Sequence, residues 1–327
     1  MASRRPLVLA AANAALLAAF GAFVLRESGL ATRPVDALAQ LPHGQMMTFG
    51  WGPPTGSFEV PMEGGEIVWH GTYGNVVDNM IWYFGVYERA ESLLSKELLA
   101  IHPGGYLDVG ANFGNHALFL STTATEVHAI EPWPPALERL QTNLAANPSK
   151  KVFIHPVGYG NEPGTLPFYP PPEGSFVVGS FDQAFAHGDE EVIDLPIVVA
   201  DQHLVEVGAG KMGLVKVDIE GFERFALEGM RDTLVAQRPI VMFELNVTDG
   251  GFQSREALAA TFPKNYEFWE VQLDPPWALN FGFAIWFYGS EATGHYQLRP
   301  LGDLRRLNAI AVPAEDVPAI QALAARG

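Results

Sequence analysis

The stretch Tyr106-Leu107-Asp108-Val109-Gly110-Ala111-Asn112-Phe113-Gly114-Asn115-His116 constrains this chain more than any other. Tyr106, Leu107 and Val109 form a short apolar run that reads as the end of a buried strand. Gly110 and Gly114 permit backbone angles and close approaches that a Cβ would block. Ala117, Leu118, Phe119 and Leu120 then continue as a helix. Such a strand, tight turn and helix offer a small ligand free backbone N–H groups and the positive end of a helix dipole. In an open α/β sheet, ligands bind in the crevice at the carboxyl ends of the strands. Gly110, Ala111, Asn112, Phe113 and Gly114 are therefore expected at a small-molecule site.

The distance to the next acidic residue narrows the ligand. Residues 127–131 read as a second strand ending in Glu131. Glu131 stands about 20 residues beyond Gly110, the separation at which a carboxylate reaches the ribose hydroxyls of a bound nucleoside. Dinucleotide enzymes and S-adenosyl-L-methionine enzymes share that geometry. The turn spells Gly-x-x-x-Gly and lacks the Gly-x-Gly-x-x-Gly of dinucleotide sites. Asp108 precedes it, where a carboxylate can accept hydrogen bonds from a cationic amino-acid moiety and would repel a pyrophosphate. Both points favour S-adenosylmethionine over NAD.

Four segments then carry a family resemblance: Asp108-Val-Gly-Ala-Asn-Phe-Gly114, Glu131-Pro132, Lys216-Val-Asp-Ile-Glu-Gly-Phe-Glu223 and Phe243-Glu244-Leu245-Asn246. Together they resemble the FkbM family of S-adenosylmethionine-dependent methyltransferases over residues 79–313. The Lys-x-Asp-x-Glu-Gly-x-Glu segment is the most family-specific part. The resemblance implies a Rossmann-like class I methyltransferase sheet of seven strands, with Pro132, Val157 and Gly158 beside the cofactor. It also implies hydroxyl acceptors on sugars, glycolipids or polyketide-like products. Relatives carry an acidic residue where Glu88 stands, within a segment that reads either as a lid over the cofactor or as a covering helix.

Composition sets bounds on the rest. Apolar residues make up 48% of the 327, enough for a substantial core. The formal net charge of −17 argues against unassisted binding to a nucleic-acid backbone. With no cysteine, disulfides, thiolate catalysis and cysteine-ligated metals are excluded. Residues 6–25 form an alanine-rich apolar run long enough to cross a bilayer. A membrane-anchor helix is the expectation; a cleaved signal peptide or an apolar helix packed on its own domain are the alternatives. Arg4 and Arg5 predict that the following domain lies outside, while Arg26 and Arg33 oppose them. A methyltransferase needs a cofactor made in the cytosol, so the domain is expected on the cytoplasmic side.

The expected organisation is a hydrophobic helix over residues 1–30, a linker and leader over 31–78, and the methyltransferase domain over 79–327. Residues 66–70 read as a strand and 79–100 as a helix. Further helices are expected at 134–146 and 221–237. Strands are expected at 151–156, 165–169, 192–199, 212–219, 239–245, 266–273, 283–288 and 308–312. This alternation predicts an α/β fold with a largely parallel sheet and an antiparallel edge.

Methyl transfer to a hydroxyl needs an aligned acceptor and a group that removes its proton. Asp218, Glu220 and Glu244, at the carboxyl ends of two strands, are the candidates, with Asp218 placed first. Helix capping is the alternative role for Asp218 and Glu220. Glu223 is expected to orient its neighbours. His116 is a possible base, with packing beside the cofactor as its other role. Asp218 with Glu244 could hold a divalent ion through oxygen ligands, and no metal is assigned. His70, His128 and His155 are scattered without metal spacing. Among the aromatic residues 269–287, Trp277 in its Pro-Pro-Trp loop is the one read as a substrate contact. Two rivals remain: a nicotinamide oxidoreductase, disfavoured by the glycine spacing, and a membrane-tethered binding module without catalysis.

Overall fold

The expected strand–helix alternation is present in a computed structural model that describes residues 56–73, 75–171, 179–181, 191–247, 251–273 and 294–326. Ser57–Pro61 (β1) and Val68–Thr72 (β2) form an antiparallel hairpin, followed by helices Val76–Phe84 (α1) and Arg89–Ile101 (α2). Gly105–Val109 (β3), Asn115–Leu120 (α3), Val127–Ile130 (β4), Pro134–Ala145 (α4) and Val152–His155 (β5) come next. Gly158–Gly160 (β6), Gly164–Phe168 (β7) and Ile193–Val199 (β8) make a separate three-stranded sheet. Ala200–Glu206 (α5), Met212–Val217 (β9), Glu223–Glu228 (α6), Arg231–Gln237 (α7) and Ile240–Leu245 (β10) continue the alternation. Arg255–Thr261 (α8), Tyr266–Leu273 (β11), Tyr296–Pro300 (β12), Leu307–Pro313 (β13) and Val317–Ala324 (α9) complete it.

The main sheet runs β12-β11-β13-β10-β9-β3-β4-β5. From β10 to β5 every pairing is parallel, whereas β13 is antiparallel to β10 and β11, and β12 to β11. The largely parallel sheet with an antiparallel edge is as expected. The count is not: eight strands stand among the described residues, against seven expected. The extra one, β12, is an edge strand in which only Leu298 is buried, so it lacks the apolar alternation that marks a strand in sequence. The strand expected at 283–288, like Trp277 and the hydrophobic helix at 1–30, lies outside the described residues. Among the described residues, no helix is long and apolar enough to cross a membrane.

Side-chain alternation divides the sheet into two apolar layers. Leu107, Val109, Val215, Val217, Val241 and Phe243 pack towards α6, α7 and α8. Tyr106, Leu214, Ile240, Met242, Ile310 and Val312 pack on the other face, with α2, α3 and α9. On that second face the strands turn polar where they end: Asp108 follows Tyr106, Lys216 follows Leu214, Glu244 follows Met242, and Asn308 precedes Ile310. The carboxyl edge of the sheet is thereby prepared as a polar floor.

Two helices expected to be continuous are broken. Residues 79–100 divide into α1 and α2 at the turn 85–88, where Glu88 takes a left-handed φ of 50°. Residues 221–237 divide into α6 and α7 around Gly229. A Cβ there would lie 2.0 Å from the carbonyl oxygen of Gly160, so the close approach of α6 to β6 requires glycine. The hairpin is tied to the body: Asn143 Oδ1 accepts from His70 N–H at 2.8 Å, and Asn147 brackets both backbone groups of Val68. Fully buried Trp69 donates its indole N–H to Asp78 at 2.9 Å.

Candidate active site

The order of the sheet reverses at β3, which has β4 on one side and β9 on the other. Over this switch point opens a cavity of about 1160 Å³. One end is built by the turn after β3. Gly110 has φ +89°, and a Cβ there would stand 2.1 Å from the carbonyl oxygen of Asp218, so the two loops can cross only at glycine. Asn112, at φ +49°, donates its backbone N–H to Glu131 Oε2 at 2.8 Å, and Trp133 N–H donates to Oε1 at 2.9 Å. Burial pushes the Glu131 carboxyl up to about 7, against the pull of these two N–H groups. Under the turn, Asp108 Oδ1 accepts from Tyr106 O–H at 3.2 Å, while buried Oδ2 has no hydrogen-bond partner. Burial raises the Asp108 pKa.

The other end carries carboxylates. Oxygens of Asp218, Glu220 and Glu244 lie within 4.8 Å of one another, close enough to share a divalent cation. The chain's own cations already engage all three. Lys216 Nζ is 2.6 Å from Asp218 Oδ2. Arg306 reaches from the β12–β13 connection to Glu220 Oε2 at 2.9 Å and to Glu244 Oε1 at 2.6 Å. Burial, then the charges of Asp218 and Glu244, push Glu220 up to about 8 despite Arg306. Glu223 accepts from Ile219 N–H at 3.1 Å, from Gly221 N–H at 3.0 Å and from Asn246 at 3.2 Å. It holds the loop that presents Glu220, in the orienting role its place in the motif suggested.

A third wall comes from α2 and the turn before it. Glu88 Oε2 accepts from His116 Nε2 at 2.7 Å, and Ser92 Oγ lies 3.3 Å from the other ring nitrogen. His116 lines the cavity yet is nearly buried against α2. Glu88, Asn112 and Glu220 all line this cavity, and they are three of the five described non-glycine residues with positive φ. Left-handed backbone costs about 1–3 kcal/mol per residue and gathers at functional sites.

Of the residues singled out in the sequence, Gly110, Asn112, Phe113, His116, Glu131, Pro132, Asp218, Glu220 and Glu244 line one cavity. Asp108 lies beneath the turn and Ala111 and Gly114 within it, all three outside the lining. Val157 and Gly158 also lie outside it: Val157 packs on the core, and Gly158 opens β6 opposite Ile197. His128 and His155 are not scattered; they meet across β4 and β5 with ring nitrogens 3.0 Å apart, away from the cavity lining. Sequence reasoning passed over Lys216 as a site residue, although a lysine within an apolar strand is itself a signal. It also passed over Arg306, in a loop, and Asn308, near the start of the interior strand β13, whose positions carry no such signal.

A model of the methyltransferase FkbM domain matches residues 108–273. The hexuronic acid methyltransferase AglP of Haloferax volcanii is 36% identical over 134 residues, 39% of this chain and 50% of that protein, so the match spans half of its length. A methyltransferase FkbM structure from Methylobacillus flagellatus aligns with TM-score 0.38 and 15% identity, over 64% of this chain and 43% of that one. A SAM-dependent methyltransferase structure from Agrobacterium tumefaciens aligns with TM-score 0.42 and 11% identity, over 82% of this chain and 72% of that one.

Proposed function

The chain belongs to the FkbM family of S-adenosylmethionine-dependent methyltransferases, and on that premise we propose that it methylates a hydroxyl of a sugar or sugar-bearing acceptor. The observation that carries this reading is one cavity running from the glycine turn and Glu131 to the cluster Asp218, Glu220 and Glu244. Its first end fits the cofactor. Glu131 offers a braced carboxylate to ribose hydroxyls, and Asp108 Oδ2 is a buried acceptor without a donor, suited to an ammonium group. When bound, S-adenosylmethionine supplies an electrophilic methyl group on a sulfonium. The chain's residues align the acceptor and take its proton.

Glu220 is the base we favour over Asp218. Lys216 holds the Asp218 carboxylate in a close ion pair, whereas Glu220, although Arg306 reaches it, is pushed up to about 8 by burial and by the charges of Asp218 and Glu244. A base matched to its medium is the more effective one. Arg306 orients Glu220 and Glu244. The partial relative is a hexuronic acid methyltransferase by name, which directs the search for an acceptor to acidic as well as neutral sugars. We further propose that residues 6–25 anchor the protein to a membrane with the domain on the cytoplasmic side. Resistance of the full chain to high-salt extraction is expected, because apolar attachment is not screened.

The test combines binding and turnover. Calorimetry should give saturable binding of S-adenosylmethionine and none of NAD. A panel of neutral and uronic-acid glycosides should then yield an O-methyl product with stoichiometric S-adenosylhomocysteine. Methylation confined to nitrogen or carbon acceptors would overturn the O-methyl reading.

A further inference from the structure

Glu88 has no role yet in the reaction, and its surroundings ask for one. It is partly buried, in a left-handed turn, a conformation that persists only when neighbours over-determine it. The neighbours are His116 Nε2 at 2.7 Å and Lys216 Nζ at 3.9 Å, both on Oε2. Burial alone would raise the Glu88 pKa; Lys216 and then His116 pull it down to about 2, so the carboxylate stays ionised. Lys216 is a buried cation between two anions. Burial would strip its proton, but Asp218, Glu88 and Asp108 raise its pKa well beyond the ordinary value.

S-adenosylmethionine carries a sulfonium charge that its product, S-adenosylhomocysteine, lacks. The two ligands are otherwise alike in their charged groups. Lys216 faces the cavity that takes them, where charges interact far more strongly than in water. Left uncompensated, Lys216 would select the neutral product over the cationic cofactor. Asp218 offsets part of that charge from the acceptor side, and Glu88 offsets it from the turn before α2. Resting on the cofactor reading above, we propose that Glu88 is a specificity-determining counter-ion, which balances Lys216 so that the cavity prefers the sulfonium cofactor to the neutral product.

The measurement is the dissociation constant of each ligand, by calorimetry, for the wild type and three variants. E88Q keeps the shape and removes the charge; it should weaken S-adenosylmethionine about tenfold more than S-adenosylhomocysteine. E88D keeps the charge and should hold the ratio near that of the wild type. K216Q should move the ratio the opposite way, towards S-adenosylmethionine, and decides the matter if E88Q does not fold. Glu91 lies close by on α2 and could ionise in place of Glu88, so the series is repeated in an E91Q background. Equal weakening of both ligands in E88Q, or an unmoved ratio in K216Q, overturns the proposal. A wild type that binds neither ligand overturns the cofactor reading instead.

Discussion

Lys216 Nζ lies 2.6 Å from Asp218 Oδ2, so the carboxylate just beyond the end of β9 is half of an ion pair rather than a free base. Its sequence position had put it first among the candidates; the base proposed above is instead Glu220, which burial and the charges of Asp218 and Glu244 push up. A base acts when ionised, so kcat should rise with pH through about 8, the value to which Glu220 is pushed. E220Q should remove that limb and lower kcat by about 10²–10⁴. D218N removes a charge that raises the Glu220 pKa, and should shift the limb to lower pH. A pH–rate profile of the three proteins checks both. A limb that survives in E220Q returns the role to Asp218, Glu244 or His116.

Glu131 should carry a large part of cofactor affinity. It holds Asn112 N–H at 2.8 Å and Trp133 N–H at 2.9 Å, so its carboxylate is positioned before any ligand arrives. Losing a charged hydrogen-bond partner costs about 1.5–3 kcal/mol. Glu131→Ala should therefore weaken S-adenosylmethionine by about tenfold or more, with the far-ultraviolet spectrum unchanged. Calorimetry reads the affinity, and a wild-type value would remove Glu131 from the cofactor site.

Gly110→Ala should affect fold and site together. The added Cβ would meet the Asp218 carbonyl oxygen at 2.1 Å, in a backbone with φ +89°. Relief requires β3 and β9 to part where Asp218 N–H bonds the Val109 carbonyl at 3.0 Å. A loss of about 2–4 kcal/mol in urea denaturation is expected, with cofactor binding abolished. A stable variant that still binds would show the crossing to be more yielding than this geometry implies.

These residues also mark how far the sequence could be read. The central strands were legible because β3 and β9 are buried on both faces and read as largely apolar runs, each broken by one charged residue, Asp108 and Lys216. The glycine turn and Glu131 were legible because their spacing is local. What escaped was set by tertiary approach. The need for glycine at 229 answers to the carbonyl of Gly160, a contact across the fold. Arg306 reaches Glu220 across 86 positions, and Asn308 reaches Glu91 across 217. No local pattern announces such pairs. Strand β12 escaped because an edge strand with one buried side chain has no period to detect.

Stability without cofactor should fall as pH rises towards neutrality. Glu91 is 3% exposed, and burial followed by the charge of Glu88 pushes its carboxyl from the ordinary 4.5 up to about 7. Its folded pKa is thus above its unfolded one, so the folded state binds the extra proton between those values. The stability this contributes is fully present below about 4.5 and is lost as pH rises through about 7. Glu131 and Glu223, both pushed up to about 7 mainly by burial, act in the same direction. Glu91→Gln is neutral at every pH and keeps an oxygen for Asn308 Nδ2, now 3.1 Å away. The variant should match the wild type in acid and exceed it by about 2–3 kcal/mol once Glu91 must ionise in the wild type. Thermal unfolding across that range, for both proteins in parallel, reads the difference. Curves that stay parallel would mean that Glu91 enters the folded state already ionised, with Asn308 and Lys216 compensating its charge.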